Sequence, residues 1–244
     1  MEKSAEKVPE KDAGKEAEKM LKVPEPLGEL LGGIEHRALT NFFGAPGTGK
    51  TNLCILVLLE CIRTGGKKII YIDTEGGFSV ERLSQLAPEA EKILEKVMIL
   101  EPKTFQEQGE MIKGLAKKDA DMVILDSAAA LYRLEYADPD KDALVANREL
   151  SRQMSVLSNL ARDKGIPIIV TSHTYKNWDT ENNEIVGGDS IKYWAKSVVF
   201  LERTGKMSER AATIIKHRWI PEGKSVKFFI TQDGIKPAGG FKIF

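Results

Sequence analysis

No apolar run in the 244-residue sequence approaches the ~20 residues that a membrane helix needs, and the N-terminus lacks the apolar core of a signal peptide. A membrane partner is not expected, and a cytoplasmic setting is. Cysteine is scarce: only Cys54 and Cys61 occur, seven positions apart on one predicted helix. That spacing separates them by about 10 Å along the axis, beyond the ~7 Å that the Cα atoms of a disulfide allow. They read as small core side chains in a reducing compartment. An excess of either charge is missing too, with 36 Lys and Arg against 36 Asp and Glu. Overall charge therefore gives no ground for a nucleic-acid partner, which would need a local patch. Nor is there an internal repeat. What is present, 42% apolar and 30% charged residues, suits one sizeable α/β domain or a domain with a short extension.

Residues 1–22 differ from the rest. Lysines at 3, 7, 11, 15 and 19 interleave with Glu2, Glu6, Glu10, Glu16 and Glu18, and Pro9 and Gly14 interrupt any helix. A mobile, solvated extension is expected there, with residues 23–244 forming the core. Folded structure is expected from about 24–34, where Leu27, Leu30, Leu31 and Ile34 suggest a short amphipathic turn. Beyond it the apolar patterns predict strands at 38–43, 68–73, 97–100, 122–125 and 167–170. Helices are predicted over 52–64, 80–86, 104–118 and 143–164, and three further strands at 197–201, 212–216 and 226–230. Strands alternating with helices argue for an α/β fold with a mainly parallel central sheet flanked by helices. The strand-rich end argues for an antiparallel extension.

Between the first of these strands and its helix stands a phosphate-binding pattern, G-x-x-x-x-G-K-[ST]. Its residues are Gly44, Ala45, Pro46, Gly47, Thr48, Gly49, Lys50 and Thr51, with Asn52 leading into the helix. Strand, glycine-rich loop and helix form the context that makes the pattern credible. The glycines let the backbone curl around an anion with its N–H groups inward, and the helix start adds its positive dipole end. Lys50 can reach β- and γ-phosphates, and the Thr51 hydroxyl can serve a magnesium ion. ATP and Mg2+ are the expected cofactors.

Ligands of such sheets sit outside the carboxyl ends of the strands. Asp126, ending the strand at 122–125, is the expected magnesium-side acid. Glu75, just past another strand, is placed to orient or deprotonate a water attacking the γ-phosphate. The plainer alternatives are a helix N-cap for Asp126 and an exposed turn acid for Glu75. Asp73 stands beside them as a supporting carboxylate.

Several stretches together resemble the RecA-type recombinase family, in particular its archaeal RadA and RadB branches. They are Asp73-Thr74-Glu75-Gly76-Gly77-Phe78 with Glu81-Arg82-Leu83, and Asp126-Ser127-Ala128 with Leu131-Tyr132-Arg133. Glu149 to Gln153, Gly187-Gly188, Trp194-Ala195 and Pro221-Glu222-Gly223 continue the match, which spans about 24–236. The sequence has no room for the N-terminal helical DNA-binding domain of RadA, so the short RadB branch, an ATPase core alone, is the nearer resemblance. The resemblance implies a RecA-like core that binds ATP and hydrolyses it weakly. It further implies work in homologous recombination and DNA repair, binding of single-stranded DNA, assistance to a RadA-type recombinase, and a nucleoid-associated location.

The resemblance also assigns individual positions. The family's γ-phosphate-sensing Gln corresponds to His173, whose charge varies near neutral pH and makes a different switch. Full-length recombinases polymerise through a Phe-x-x-Ala segment before the core, whereas the first phenylalanine here is Phe42, inside it. RadA-like filaments are therefore not expected. The first DNA loop corresponds to 134–142 and carries Glu135, Asp138, Asp140 and Asp142 against Lys141. The second corresponds to 174–189 and carries Asp179, Glu181, Glu184 and Asp189 against Lys176, with Tyr175 and Trp178 as stacking candidates. Lys216 and Arg218 match a Lys-x-Arg that, in related RecA-like ATPases, reaches the nucleotide of a neighbouring subunit, which would require a homo-oligomer. Two function classes follow. One is a recombination accessory ATPase, and the other a DNA-independent, KaiC-like regulatory ATPase acting through protein partners; the acidic loops favour the second, and the motif matches favour the first more strongly.

Overall fold

The computed structural model describes residues 20–137, 142–176 and 183–238. The expected charged extension thus lies outside the described residues up to position 19. Met20–Leu21 (β1) already pairs antiparallel with Ile34–Glu35 (β2), and Leu21 is buried. Between them Leu27–Leu31 (α1) is the expected amphipathic turn, with Leu27, Leu30 and Leu31 all buried. The core then runs Leu39–Gly44 (β3), Lys50–Arg63 (α2), Ile69–Asp73 (β4), Val80–Leu86 (α3), Ala90–Leu94 (α4) and Val97–Leu100 (β5). Phe105–Gly114 (α5), Met122–Asp126 (β6), Ala130–Ala137 (α6), Ala143–Lys164 (α7) and Ile168–Ser172 (β7) follow. Thr174–Lys176 (β8) and Asn183–Ile185 (β9) form a small hairpin before Gly188–Trp194 (α8). Ser197–Arg203 (β10), Glu209–Lys216 (β11), Ser225–Thr231 (β12) and Gly234–Pro237 (β13) complete the described chain.

Nine of these strands form one sheet in the order β13-β12-β11-β10-β3-β7-β6-β4-β5. From β10 to β5 every neighbour pair is parallel, and from β10 outward to β13 every pair is antiparallel. The physical reason is visible along the central strands. On β4, Ile69 and Tyr71 enter one apolar core while Ile70 and Ile72 enter the other. On β6, Met122 and Ile124 are divided from Val123 and Leu125 in the same way. A strand apolar on both faces can only be satisfied with helices on both sides, which is the condition for a parallel sheet.

Helix α2 fills one face. Leu53 through Leu59 are all buried, and Cys54 and Cys61 are free, buried thiols. Burial pushes the Cys54 thiol well above its usual pKa, so it packs as an apolar side chain. Helix α7 fills the other face with Leu150, Met154, Leu157 and Ala161, the stripe read from its sequence. Asp142 caps its start by accepting from the Leu144 N–H, and Gly165, at φ 69°, ends it. Short elements were not predicted: α4, α6, α8, β8, β9 and β13 have too few turns or residues for a periodicity to stand out. The fold brings the ends of β3, β4, β6 and β7 to one crevice, where Gly44, Asp73, Asp126 and His173 leave the sheet.

Candidate nucleotide-binding site

The loop after β3 has the shape expected of a phosphate cradle. Gly47 and Gly49 take φ values of 73° and 99°, a region that costs a side chain but not glycine. A Cβ on Gly49 would also meet Ile230 Cδ1 at 2.6 Å, because β12 packs against the loop from behind. Lys50 is buried, and its Nζ donates to the carbonyls of Gly44 at 2.9 Å and Ala45 at 3.1 Å. Burial lowers its pKa, while the charges of Glu75 and Asp126 work against that shift. The ammonium thus lies in the loop, with two carboxylates near it.

Asp126 is buried at the end of β6 and surrounded by hydroxyls. Thr51 Oγ1 and Tyr71 Oη each donate to its Oδ2 at 2.7 Å, and Thr171 Oγ1 donates to Oδ1. An N-cap reading of Asp126 is not what its carboxylate does: its partners are side chains from α2, β4 and β7. Tyr71 and Thr171 were missed in the sequence. Tyr71 stands inside an apolar run and Thr171 directly follows one, and a hydroxyl carried inside by such a run needs an acceptor. That signal was available but pointed to no particular partner.

Glu75 stands opposite. Its Oε1 accepts from Ser127 Oγ at 2.6 Å and from His173 Nε2 at 2.7 Å. The bond from His173 is the main cause that holds the Glu75 carboxyl below its usual pKa; partial burial opposes it, and Ser127, the His173 charge and Lys50 add to it. His173 Nδ1 is buried without a partner, so the ring holds Glu75 through Nε2 alone. Asp73 is spent differently. Its two oxygens accept the backbone N–H groups of Glu75, Gly77 and Phe78, which fixes the turn that presents Glu75. A cavity of about 210 Å³ is lined by Pro46, Gly47, Gly49, Lys50, Thr51, Asn52, Glu75, Asp126 and His173. Asn52 Oδ1 accepts from Arg82 Nε at 2.7 Å, and the same guanidinium reaches the carbonyls of Thr231 and Gln232 at 2.8 Å.

Other expected residues lie elsewhere. Lys216 Nζ donates to the Lys192 carbonyl, and Arg218 pairs with the buried Glu35. Neither lines the phosphate-loop cavity. Of the two acidic loops, Asp138, Asp140, Lys141, Trp178, Asp179 and Glu181 lie outside the described residues. Exposed Tyr136 and Tyr175 border a second cavity of about 680 Å³ between α6, β9 and α8, and Tyr175 Oη donates to Glu184 at 3.1 Å.

A parallel sheet with a glycine cradle, a buried lysine and two carboxylates at adjoining strand ends defines a phosphate-loop protein with a RecA-like core. Residues 25–238 match the model of the Rad51 family, and the chain belongs to that family. It is 38% identical over 216 residues to the DNA repair and recombination protein RadB of Methanobrevibacter smithii, covering 84% of this chain and 90% of the relative. To the protein of the same description from Methanococcoides burtonii it is 40% identical over 224 residues, 90% of this chain and 98% of the relative. A solved structure titled "Crystal structure of the RadB recombinase" superposes with a TM-score of 0.75 at 35% identity, covering 88% of this chain and 97% of that one. These likenesses run with the recombination reading and lend nothing to the KaiC-like one.

Proposed function

We propose that the chain is an ATP-binding, weakly hydrolysing recombination and DNA repair protein that binds single-stranded DNA, assists a RadA-type recombinase, or does both. The observation that carries the nucleotide part is the convergence of Lys50, Thr51, Asp126 and Glu75 from three elements on one small cavity. The recombination part rests on family membership and on the names of the relatives. A cytoplasmic, nucleoid-associated location accompanies it; among the described residues no helix is long and apolar enough to cross a membrane.

The residues suit the cofactors. Thr51 and Asp126 offer hard oxygen donors hydrogen-bonded to each other at 2.7 Å. One carboxylate and one hydroxyl, completed by phosphate oxygens, is the donor set Mg2+ takes. Bound there, Mg2+ would neutralise phosphate charge. In this reading the backbone of 44–51 cradles the phosphates, Lys50 turns its ammonium to them, and Glu75 orients the attacking water. Because His173 and Ser127 both donate to Glu75, its carboxylate is a poor base, which supports slow hydrolysis. His173 can exchange Glu75 for a phosphate oxygen, and Lys216 with Arg218 would serve the nucleotide of a neighbouring copy. A charged N-terminal stretch preceding one ATPase core completes the organisation.

An electrophoretic shift assay with single-stranded DNA, with and without Mg-ATP, tests the reading together with ATP-dependent thermal stabilisation. Retarded DNA and a raised melting temperature are expected. Stabilisation by Mg-ATP without any binding of DNA or of a RadA-type recombinase would overturn the recombination part alone.

A further inference from the structure

The antiparallel extension also touches the phosphate loop, at Gly47, through two arginines that do not line its cavity. Arg203 and Arg210 are directly opposed on the β10–β11 ladder. The Arg210 guanidinium donates from Nη2 to the Gly47 carbonyl at 3.1 Å and from Nη1 to the Glu209 carbonyl at 2.9 Å. Arg203 lies against Gly47 so closely that a side chain at that position would strike its guanidinium. Like charges facing each other on a ladder repel. Neither guanidinium meets a carboxylate among the described residues: neighbouring Glu209 accepts from Thr204 at 2.6 Å and pairs with Lys206 at 3.7 Å. Arg210 Nε is moreover buried with no hydrogen-bond partner. The pair is thus short of negative charge, and the loop it backs is shaped for an anion.

We propose that Arg203 and Arg210 are a positioning pair for the phosphate loop. Arg210 holds the Gly47 carbonyl on the outer side, and both charges draw a polyphosphate to the inner side through the thickness of the backbone. This rests on the nucleotide reading above and deepens it: the ligand class is a polyphosphate, and the base plays no part in this contact. Across one strand of backbone the attraction is weakly screened, being shorter than the Debye length of ~8 Å at physiological salt. The pair therefore has two opposed effects. Its mutual repulsion burdens the ligand-free protein, and its combined charge favours the complex. A merely structural arginine would lower stability and affinity together when removed.

The test is calorimetric titration of the full chain with inorganic tripolyphosphate and with ATP, alongside ligand-free thermal melts. Arg203→Ala is expected to melt no lower than wild type and yet bind tripolyphosphate about fivefold more weakly. Arg210→Ala is expected to lose about tenfold for tripolyphosphate and for ATP alike, and Arg210→Lys, keeping charge and a donor, to stay within about threefold of wild type. Wild-type tripolyphosphate affinity in both alanine variants overturns the proposal. So does weakened binding of single-stranded DNA with tripolyphosphate affinity intact, which would assign the pair to nucleic acid. Lys50→Ala separates the two levels. If it too binds tripolyphosphate like wild type, the phosphate-loop reading has failed and the pair's role falls with it. If Lys50→Ala loses binding while the arginine variants keep theirs, the loop stands and only the pair is refuted.

Discussion

The carboxyl ends of the parallel strands and the end of β11 both carry charges suited to a nucleotide, and they are organised in opposite ways. At the strand ends Lys50, Asp126 and Glu75 face one cavity, and each is held by groups that a ligand can replace or extend. At the end of β11 and just beyond it, Lys216 and Arg218 are committed within their own subunit, to the Lys192 carbonyl and to Glu35. The first arrangement is built from residues of one chain. The second becomes a nucleotide contact only if assembly offers those cations something better than their internal partners.

The largest effect is expected from Lys50→Ala. Wild type should gain about 2.7 kcal/mol of stability from Mg-ATP at a hundred times its Kd, and the variant almost none. Equal stabilisation in differential scanning would remove the phosphate-loop assignment. Glu75→Gln comes next: nucleotide should bind nearly as before while hydrolysis falls about a hundredfold. If phosphate release is unchanged, another group positions the water.

Arg218→Ala sharpens the contrast from the other side. It takes from buried Glu35 its guanidinium partner and should cost about 2 kcal/mol in urea unfolding, against about 1 for Lys216→Ala, which loses a single bond to a carbonyl. Equal, negligible costs would mean that the two cations are free for a neighbour already. Lys50→Ala subunits mixed with Lys216→Ala/Arg218→Ala subunits should regain part of the hydrolysis if the cations act in trans. No recovery between folded, associating variants would refute that assignment.

The smallest effect concerns pH. Because Glu75 has a depressed folded-state pKa, the stability it contributes is complete above the ordinary carboxylate value of about 4.3 and is lost as pH falls through the folded value. His173→Ala removes the largest cause of that depression, so the loss should be smaller and be complete at a higher pH. Carboxyl NMR titration of Glu75 measures the shift directly, and an unmoved titration would show that His173 is not its cause.

Much of the architecture was legible in advance, for identifiable reasons. β4 and β6 are apolar at consecutive positions, and α7 carries its apolar stripe over 22 residues, long enough for periodicity to register. The phosphate loop was legible because three glycines and a Lys-Thr pair leave few other conformations to the chain. What escaped was short, such as α6 and β8–β9, or distant in sequence. Thr171 lies 45 residues from Asp126, and Arg210 lies 163 from Gly47.

The sequence by itself determined the strand–helix alternation, the anion-shaped loop and the acids at the strand ends, because these follow from local periodicity and residue type. Only the tertiary structure decided what each charge does. It spent Asp73 on holding a turn, gave Asp126 three hydroxyls, bound Glu75 to His173, turned Arg218 to Glu35 and set two arginines behind the loop. The reason is physical: a buried or half-buried polar group takes its character from whatever partner packing brings within hydrogen-bond reach. Strand order, which brings β7 beside β6 and β10 beside β3, is written in no single stretch of the chain.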